Sequence, residues 1–409
     1  MTQVLDDRHI NLLQILAKVT IDSYPLDLNL STEEWNAIFT LSRSHNILPL
    51  VFEMVSGNSS FISSPDYQSL MLETMTIVAS QARRTDAFLN LYEHFIAENL
   101  HPIVMKGIIC RQLYGEYCDH RPSGDEDILI QKSEYEMIAN ILTSNGYVSS
   151  IKDVTETQLN ELQEITFHND QTGLTIEVHV NPMGHDNDLR SKMNDYFVNV
   201  FRDSVIVNIE GIPIMTMNIT DHFLYLVFHT FKHFTAGGFG VRQVLDIMLY
   251  EQKHYSNIEW NYVWKSLKEI HADRFFGDLV YIGNKYLGFN LPLICEMKYP
   301  DELLKDIMNC GVFGNETQEQ RSAGFMIKGS IGSKSNSFEM LLKTMFPSKR
   351  QMINRFPELH EKPWLLPLCW LQRFVRASKY ESSSNRSYVA GSLKISKRRI
   401  ELLKKYDIL

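Results

Sequence analysis

The chain has 409 residues, 44% hydrophobic and 22% charged, which excludes a disordered or fibrous protein and points to two or three domains. Its longest apolar run, Trp364 to Val375, is broken by Gln372 and Arg373 and predicts no membrane span; the opening MTQVLDDRHI predicts no secretory signal, and five cysteines without C-x-x-C spacing argue against a disulfide scaffold or a cysteine zinc site, so a reducing cytoplasm is expected. The net charge of −9 is uneven, because Met340 to Leu409 carries 15 Lys/Arg against 5 Asp/Glu; the basic end is expected to meet nucleic acid, a phosphate-rich ligand, an acidic surface or the chain's own acidic part.

The first hundred residues read as helices. Leu12, Leu13, Leu16 and Ala17 recur at helical spacing, Ser31-Thr-Glu-Glu34 is a capping box, and a long periodic segment runs from about Pro65 to Leu100. The texture changes at His101. Pro102 to Met105 predicts a buried strand ended by the Lys106-Gly107 turn, and Ile108 to Tyr114 restarts a helical pattern. A second strand is predicted at Asp127 to Ile130, then a helix capped by Ser133 with Glu136 and stopped by Asn145-Gly146. Ile165 to His168 and Leu174 to Val180 flank Asp170-Gln-Thr-Gly173 as a hairpin, and Val205 to Ile209 with Ile212 to Met217 flank Glu210-Gly211 as another. Thr220-Asp221 caps a helix, and most of the chain from there to the C-terminus reads as helical. Ser382 to Ser387 reads as a linker before a basic helix at Ser396 to Tyr406. The expected division is a helical region at 1–100, an α/β core at 101–218, a helical domain at 219–380, and a linker with basic helix at 381–409.

The sharpest chemical signal is Arg121-Pro-Ser-Gly-Asp125-Glu-Asp127 running into Ile128-Leu-Ile130. Side chains two apart on a strand share a face, so Asp125 and Asp127 present adjacent carboxylates, which repel unless a cation lies between them. Oxygen ligands favour Mg²⁺ or Mn²⁺ over zinc. Lys106-Gly107 at a helix start offers backbone N–H donors and a point charge to a phosphate. Glu177 and His179 share a face of their strand, and Glu177 is placed to act as a third acid. In the helix from Asp221, His222, His229, Lys232 and His233 gather opposite Leu224, Val227, Phe228 and Phe231, a stripe read as cations facing phosphates or as a solvated face. Past Gly237-Gly238-Phe-Gly240, Arg242 and Asp246 stand at pairing distance.

Together, K-G, then R-x-x-G-D-x-D with an apolar strand, then E-x-H, then H-x3-H and G-x-x-x-R-Q-x-x-D resemble the uncharacterised bacterial nucleotidyltransferase family of the polymerase-β-like superfamily. Phe346-Pro-Ser348 and Lys362-Pro-Trp-Leu-Leu-Pro367 resemble its C-terminal part. Two departures stand out: Lys106-Gly107-Ile108 replaces the superfamily's usual G-[GS] seat, and Glu126 fills the normally apolar middle of D-x-D, where it is expected to reach solvent. The resemblance implies an α+β fold, a small mixed-sheet nucleotidyltransferase core flanked by N-terminal and C-terminal helical domains. It implies transfer of an NMP from an NTP, ATP being the expected donor, to a hydroxyl-bearing acceptor (small molecule, peptide, protein or RNA), with release of pyrophosphate. Asp125, Asp127 and Glu177 would hold Mg²⁺ or Mn²⁺ and act catalytically; Lys106, Gly107, Arg121, His229, Lys232, His233 and Arg242 would serve the nucleotide, Arg121 by binding phosphate or by bracing the loop. The alternative is a non-catalytic scaffold on this fold that binds a peptide, protein or RNA through its basic end.

Overall fold

The computed structural model describes residues 5–21, 26, 28–151, 154–162, 164–185, 187–293, 297–311, 346, 348–352, 356–359, 361–372 and 399–408. The predicted linker at 382–387, and the start of the basic helix after it, lie outside them.

Helices α1 (Asp7–Ala17), α2 (Thr32–Ser44), α3 (Leu48–Val55), α4 (Ser59–Ile62) and the long α5 (Tyr67–Ala97) come first. The Ser31–Glu34 box forms as read: the Ser31 hydroxyl accepts from the Glu34 N–H, and the Glu34 carboxylate accepts from the Ser31 N–H at 2.8 Å. The chain continues through β1 (Ile103–Val104), α6 (Ile108–Arg111), β2 (Asp125–Leu129), α7 (Tyr135–Ser144), β3 (Val148–Ser149), α8 (Glu156–Glu161), β4 (Ile165–Asn169), β5 (Leu174–His179), α9 (Asp188–Asn194), β6 (Val205–Ile209) and β7 (Ile212–Thr216). Helices α10 (Ile219–Ala236), α11 (Val241–His254), α12 (Trp260–Glu269), α13 (Asp273–Tyr286) and α14 (Pro300–Cys310) complete the larger elements.

The seven strands form one mixed sheet in the order β3-β4-β5-β2-β1-β7-β6. The expected hairpins are present as β4–β5 and β6–β7, both antiparallel. At the centre β2 and β5 run parallel, pairing Asp125 with Thr175, Asp127 with Glu177 and Leu129 with His179. No local signal in either strand specifies this pairing; it is made by the chain returning through α7, β3, α8 and β4.

Several boundaries differ from the sequence reading. β2 begins at Asp125, so the whole D-x-D triplet is strand. Before α7, Gln131 and Glu134 form the capping box around a 3-10 turn, and Ser133 lies inside that turn. The start of α10 is capped by Asn218, whose side chain accepts the Asp221 N–H at 2.9 Å. β3, α8 and α9 were not anticipated; each is short and lacks a long periodic pattern.

Two large cores and a small cluster of Met352, Phe356 and Leu359 are present among the described residues. One large core packs α5 and α7 against the sheet through Phe88, Tyr92, Phe95, Ile128, Ile138 and Ile176. The other joins helices that precede the sheet to those that come after it, from Leu12, Trp35 and Phe39 through Met105 to Phe228, Val244 and Phe276. α10 belongs to this core and has 14 of its 18 residues buried, so its histidine–lysine stripe is not a solvated face. The described C-terminal residues dock there too: Arg399 is buried against Asp306 and donates to the Phe234 carbonyl at 2.5 Å, and Lys405 pairs with Glu302 at 2.6 Å.

Candidate active site

The site is assembled where β1, β2, β5 and α10 converge. The Met105 N–H donates to the Asp127 carbonyl at 3.0 Å, which delivers the next residue, Lys106, alongside the Asp127 side chain. The Lys106 ammonium lies 3.1 Å from Asp127 Oδ2 and 3.3 Å from His229 Nε2. On the other carboxylate oxygen, His179 Nε2 sits 3.3 Å from Asp127 Oδ1, and it is 3.7 Å from Glu177 Oε2. Glu177 reaches Asp127's neighbourhood because the parallel register sets the two residues side by side.

These contacts dominate the local electrostatics. Burial pushes the Asp127 carboxyl up, but Lys106 and His179 outweigh it and hold the group well below the usual carboxylate range. Burial opposes protonation of His179, yet the two carboxylates raise it to about 9, so it is an imidazolium at neutral pH. Burial drives Glu177 up to about 7, with His179 opposing and Asp127 adding to the rise; a carboxyl in this range suits proton transfer. Burial, then the neighbouring Lys106 charge, keep His229 well below its ordinary value, so its ring is neutral and its Nε2 can accept from the ammonium. Lys232 is buried and brought down to about 8, first by desolvation and then by the nearby Arg190 charge.

The loop that carries the acids is clamped on both sides. Arg121 makes a bidentate pair with Asp246, at 2.8 and 2.6 Å, and Asp246 also accepts from the Tyr114 hydroxyl at 2.8 Å. Asp246 is thus taken by Arg121, and the expected Arg242–Asp246 pair gives way to Arg242 donating to the Pro122 carbonyl. From α5, the Gln81 side chain accepts the Ser123 N–H at 2.7 Å, and Arg84 donates to the Ser123 carbonyl at 2.9 Å. Arg121 is buried, with its carboxylate partner on α11, so its position is that of a brace.

Glu126 corrects two expectations at once. Its side chain does not reach solvent: it is 2% exposed and pairs with the equally buried Arg111 at 2.8 Å. Its second oxygen accepts the Ile108 N–H at 2.8 Å. The donor that the sequence offered to a phosphate at the start of α6 is therefore filled by the chain's own carboxylate. Gly107 is required for this fit, since its φ is +52° and a Cβ there would lie 1.8 Å from Glu126 Oε2.

Among the described residues, Asp127, Glu177 and His179 form a group able to hold a metal ion, with one ligand atom from each within 4.8 Å of the others. Asp127 Oδ2 is buried without an aligned hydrogen bond despite the close Lys106 ammonium, and such an oxygen is costly unless a cation or ligand satisfies it. The two carboxylates fit a hard divalent cation such as Mg²⁺ or Mn²⁺, and His179 would join them as a ligand only on losing its proton. Asp125 stands outside this group, half-buried, two residues along the strand, with its Oδ1 3.5 Å from the Ser123 hydroxyl. His229 and His233 pack ring to ring at 4.6 Å and are not part of the metal-capable group. The sequence reading missed His179 as a member of the site, although the alternating E-x-H signal placed it on the face of Glu177. It also missed Arg111 and Tyr114, whose roles depend on partners distant in the chain, and it gave Asp246 to Arg242 where the fold gives it to Arg121.

Residues 31–288 match the model of a family described as an uncharacterised nucleotidyltransferase. No curated protein and no solved structure matches the chain.

Proposed function

The chain belongs to this uncharacterised nucleotidyltransferase family, and from that premise we propose that it is a Mg²⁺- or Mn²⁺-dependent enzyme that transfers an NMP from an NTP to a hydroxyl-bearing acceptor and releases pyrophosphate. The observation that carries the reading is the convergence of Asp127, Glu177 and His179 on one point beside Lys106, with Asp125 two residues away on the same strand.

Asp127 and Glu177, with Asp125 beside them, are the residues that would hold the cation. When bound, it supplies the charge that neutralises the triphosphate and the developing charge at the attacked phosphorus. Glu177 takes the acceptor's hydroxyl proton as the acceptor oxygen bonds to the α-phosphorus and the bond to the β-phosphate oxygen breaks. His179 spans Asp127 and Glu177 and orients both carboxylates. Lys106 and Lys232 offer positive charge to the phosphates, with neutral His229 and half-buried His233 beside them. Arg121 and Arg242 act at one remove, through the loop at Pro122. With so much of phosphoryl transfer resting on placement, the double clamp on residues 121–123 serves the reaction by fixing the strand that carries Asp125 and Asp127.

The scaffold alternative relies on the basic end. There, two of the described basic residues, Arg399 and Lys405, pair with the chain's own Asp306 and Glu302.

The test is titration calorimetry with non-hydrolysable ATP, GTP, CTP and UTP analogues, with and without Mg²⁺, on wild type and Asp127→Asn. Metal-dependent binding of at least one analogue, lost in the variant while its circular dichroism is unchanged, is expected. A folded wild-type protein that binds none of the four would overturn the proposal.

A further inference from the structure

Lys106 occupies an unusual position for a residue meant only for phosphate. Its ammonium is lodged 3.1 Å from Asp127 Oδ2, while His179 holds Oδ1 of the same carboxylate. The Asp127 side chain is 3% exposed, so these two cations, rather than water, balance its charge. Lys106 is the accessible member of the set at 21% side-chain exposure, and its four-carbon stem can swing while the backbone stays fixed. That backbone is fixed twice, by the Met105–Asp127 strand bond and by Glu126 gripping the first N–H of α6. A second partner is already within reach, since His229 Nε2 lies 3.3 Å from the ammonium on the α10 side.

We propose that Lys106 is a resident counter-cation, which holds the place of the divalent ion's charge beside Asp127 and withdraws toward His229 and the nucleotide phosphates when the ion binds. The inference rests on the nucleotidyltransferase reading and deepens it. Asp127 Oδ2 has a charged neighbour but no aligned hydrogen bond to it, so the lysine neutralises the oxygen without saturating it. An ammonium at this spot repels an arriving dication and must be displaced, which weakens metal binding until phosphates give the lysine somewhere to go. Metal and nucleotide affinities are thereby coupled through one side chain, and such coupling is reciprocal.

The test measures Mn²⁺ binding by electron paramagnetic resonance, without nucleotide, in wild type, Lys106→Met, Lys106→Arg and Asp127→Asn, each checked for folding by circular dichroism. Lys106→Met is expected to bind Mn²⁺ at least about ten-fold more tightly than wild type, equivalent to about 1.4 kcal/mol. Lys106→Arg, which keeps the charge, is expected to stay as weak as wild type, and Asp127→Asn to bind nothing. If Lys106→Met misfolds, Lys106→Gln provides the same reading. A neutral variant with unchanged or weaker Mn²⁺ affinity overturns the proposal. Should wild type bind Mn²⁺ together with a non-hydrolysable ATP analogue in that case, the counter-cation role alone falls. Should neither protein bind Mn²⁺ with or without nucleotide, the nucleotidyltransferase reading falls with it.

Discussion

Replacing Arg111 by Met isolates the energetic role of the one carboxylate in D-x-D that does not face the metal-capable group. The Arg111 and Glu126 side chains are 1% and 2% exposed, and the guanidinium meets one carboxylate oxygen at 2.8 Å while the Ile108 N–H meets the other. Burial already raises Glu126, with Arg111 as the largest opposing influence. Met preserves most of the stem volume, so the loss is mainly one of charge: a buried carboxylate is left with a single backbone donor. Removing one partner of a buried pair costs about 3–5 kcal/mol. At about 2–4 °C per kcal/mol for a cooperative unit of 150–250 residues, the thermal midpoint should fall by roughly 6 °C or more. The double variant Arg111→Met, Glu126→Leu removes both charges and is expected to regain about half of that loss. It will not regain all, because the Ile108 N–H loses its acceptor, worth about 1–3 kcal/mol when buried. Melting followed by circular dichroism reads both variants. A single variant as stable as wild type, or a double variant less stable than the single, would refute the reasoning.

Further perturbations probe other parts of the same frame. Gly107→Ala combines a positive φ with a Cβ 1.8 Å from Glu126 Oε2; a lowered midpoint and loss of nucleotide-analogue binding are expected, and wild-type behaviour in both would show that the turn can relax. Asp246→Asn leaves buried Arg121 without its countercharge, so thermal unfolding should reveal a destabilisation of about 3–5 kcal/mol. Burial holds His45 down to about 4 against an ordinary 6.5; the unfolded chain binds that proton first, so stability falls as pH drops below 6.5, by about 2 kcal/mol at pH 5. Urea midpoints at pH 7.5 and 5 should show His45→Gln losing less over this interval than wild type, and equal losses would contradict the assignment. Glu251 behaves in the opposite sense, since burial raises it to about 8 and its stabilising contribution is lost as pH rises from 4.5 through 8. Glu251→Gln should accordingly be more stable than wild type at pH 8, with the advantage shrinking at pH 5.

The order of elements was legible because it is written in local patterns. The Ser31–Glu34 box, the two hairpins with Gly173 and Gly211 in their turns, and the long period of α5 all depend on residues within a few positions of each other. So was the candidate chemistry, for Asp125, Asp127 and Glu177 fall on one face of their strands by simple alternation. The family resemblance, carried by those same motifs, agrees with the match over residues 31–288.

What no local pattern could decide is who faces whom. The parallel β2–β5 register puts Glu177 beside Asp127 and brings His179 to the same carboxylate, and parallel pairing is set by a crossover rather than by any residue in the strands. Glu126 looked like a solvent-seeking residue at a strand start, and became a buried cap only because Arg111 and the Ile108 N–H meet it there. The stripe on α10 looked amphipathic, yet packing on both sides buried it and left His229 to the Lys106 ammonium. Residue types and their spacing therefore determined which groups were available for chemistry. Tertiary structure decided which of them are charged, because a charge in the interior persists only where another chain segment supplies its partner.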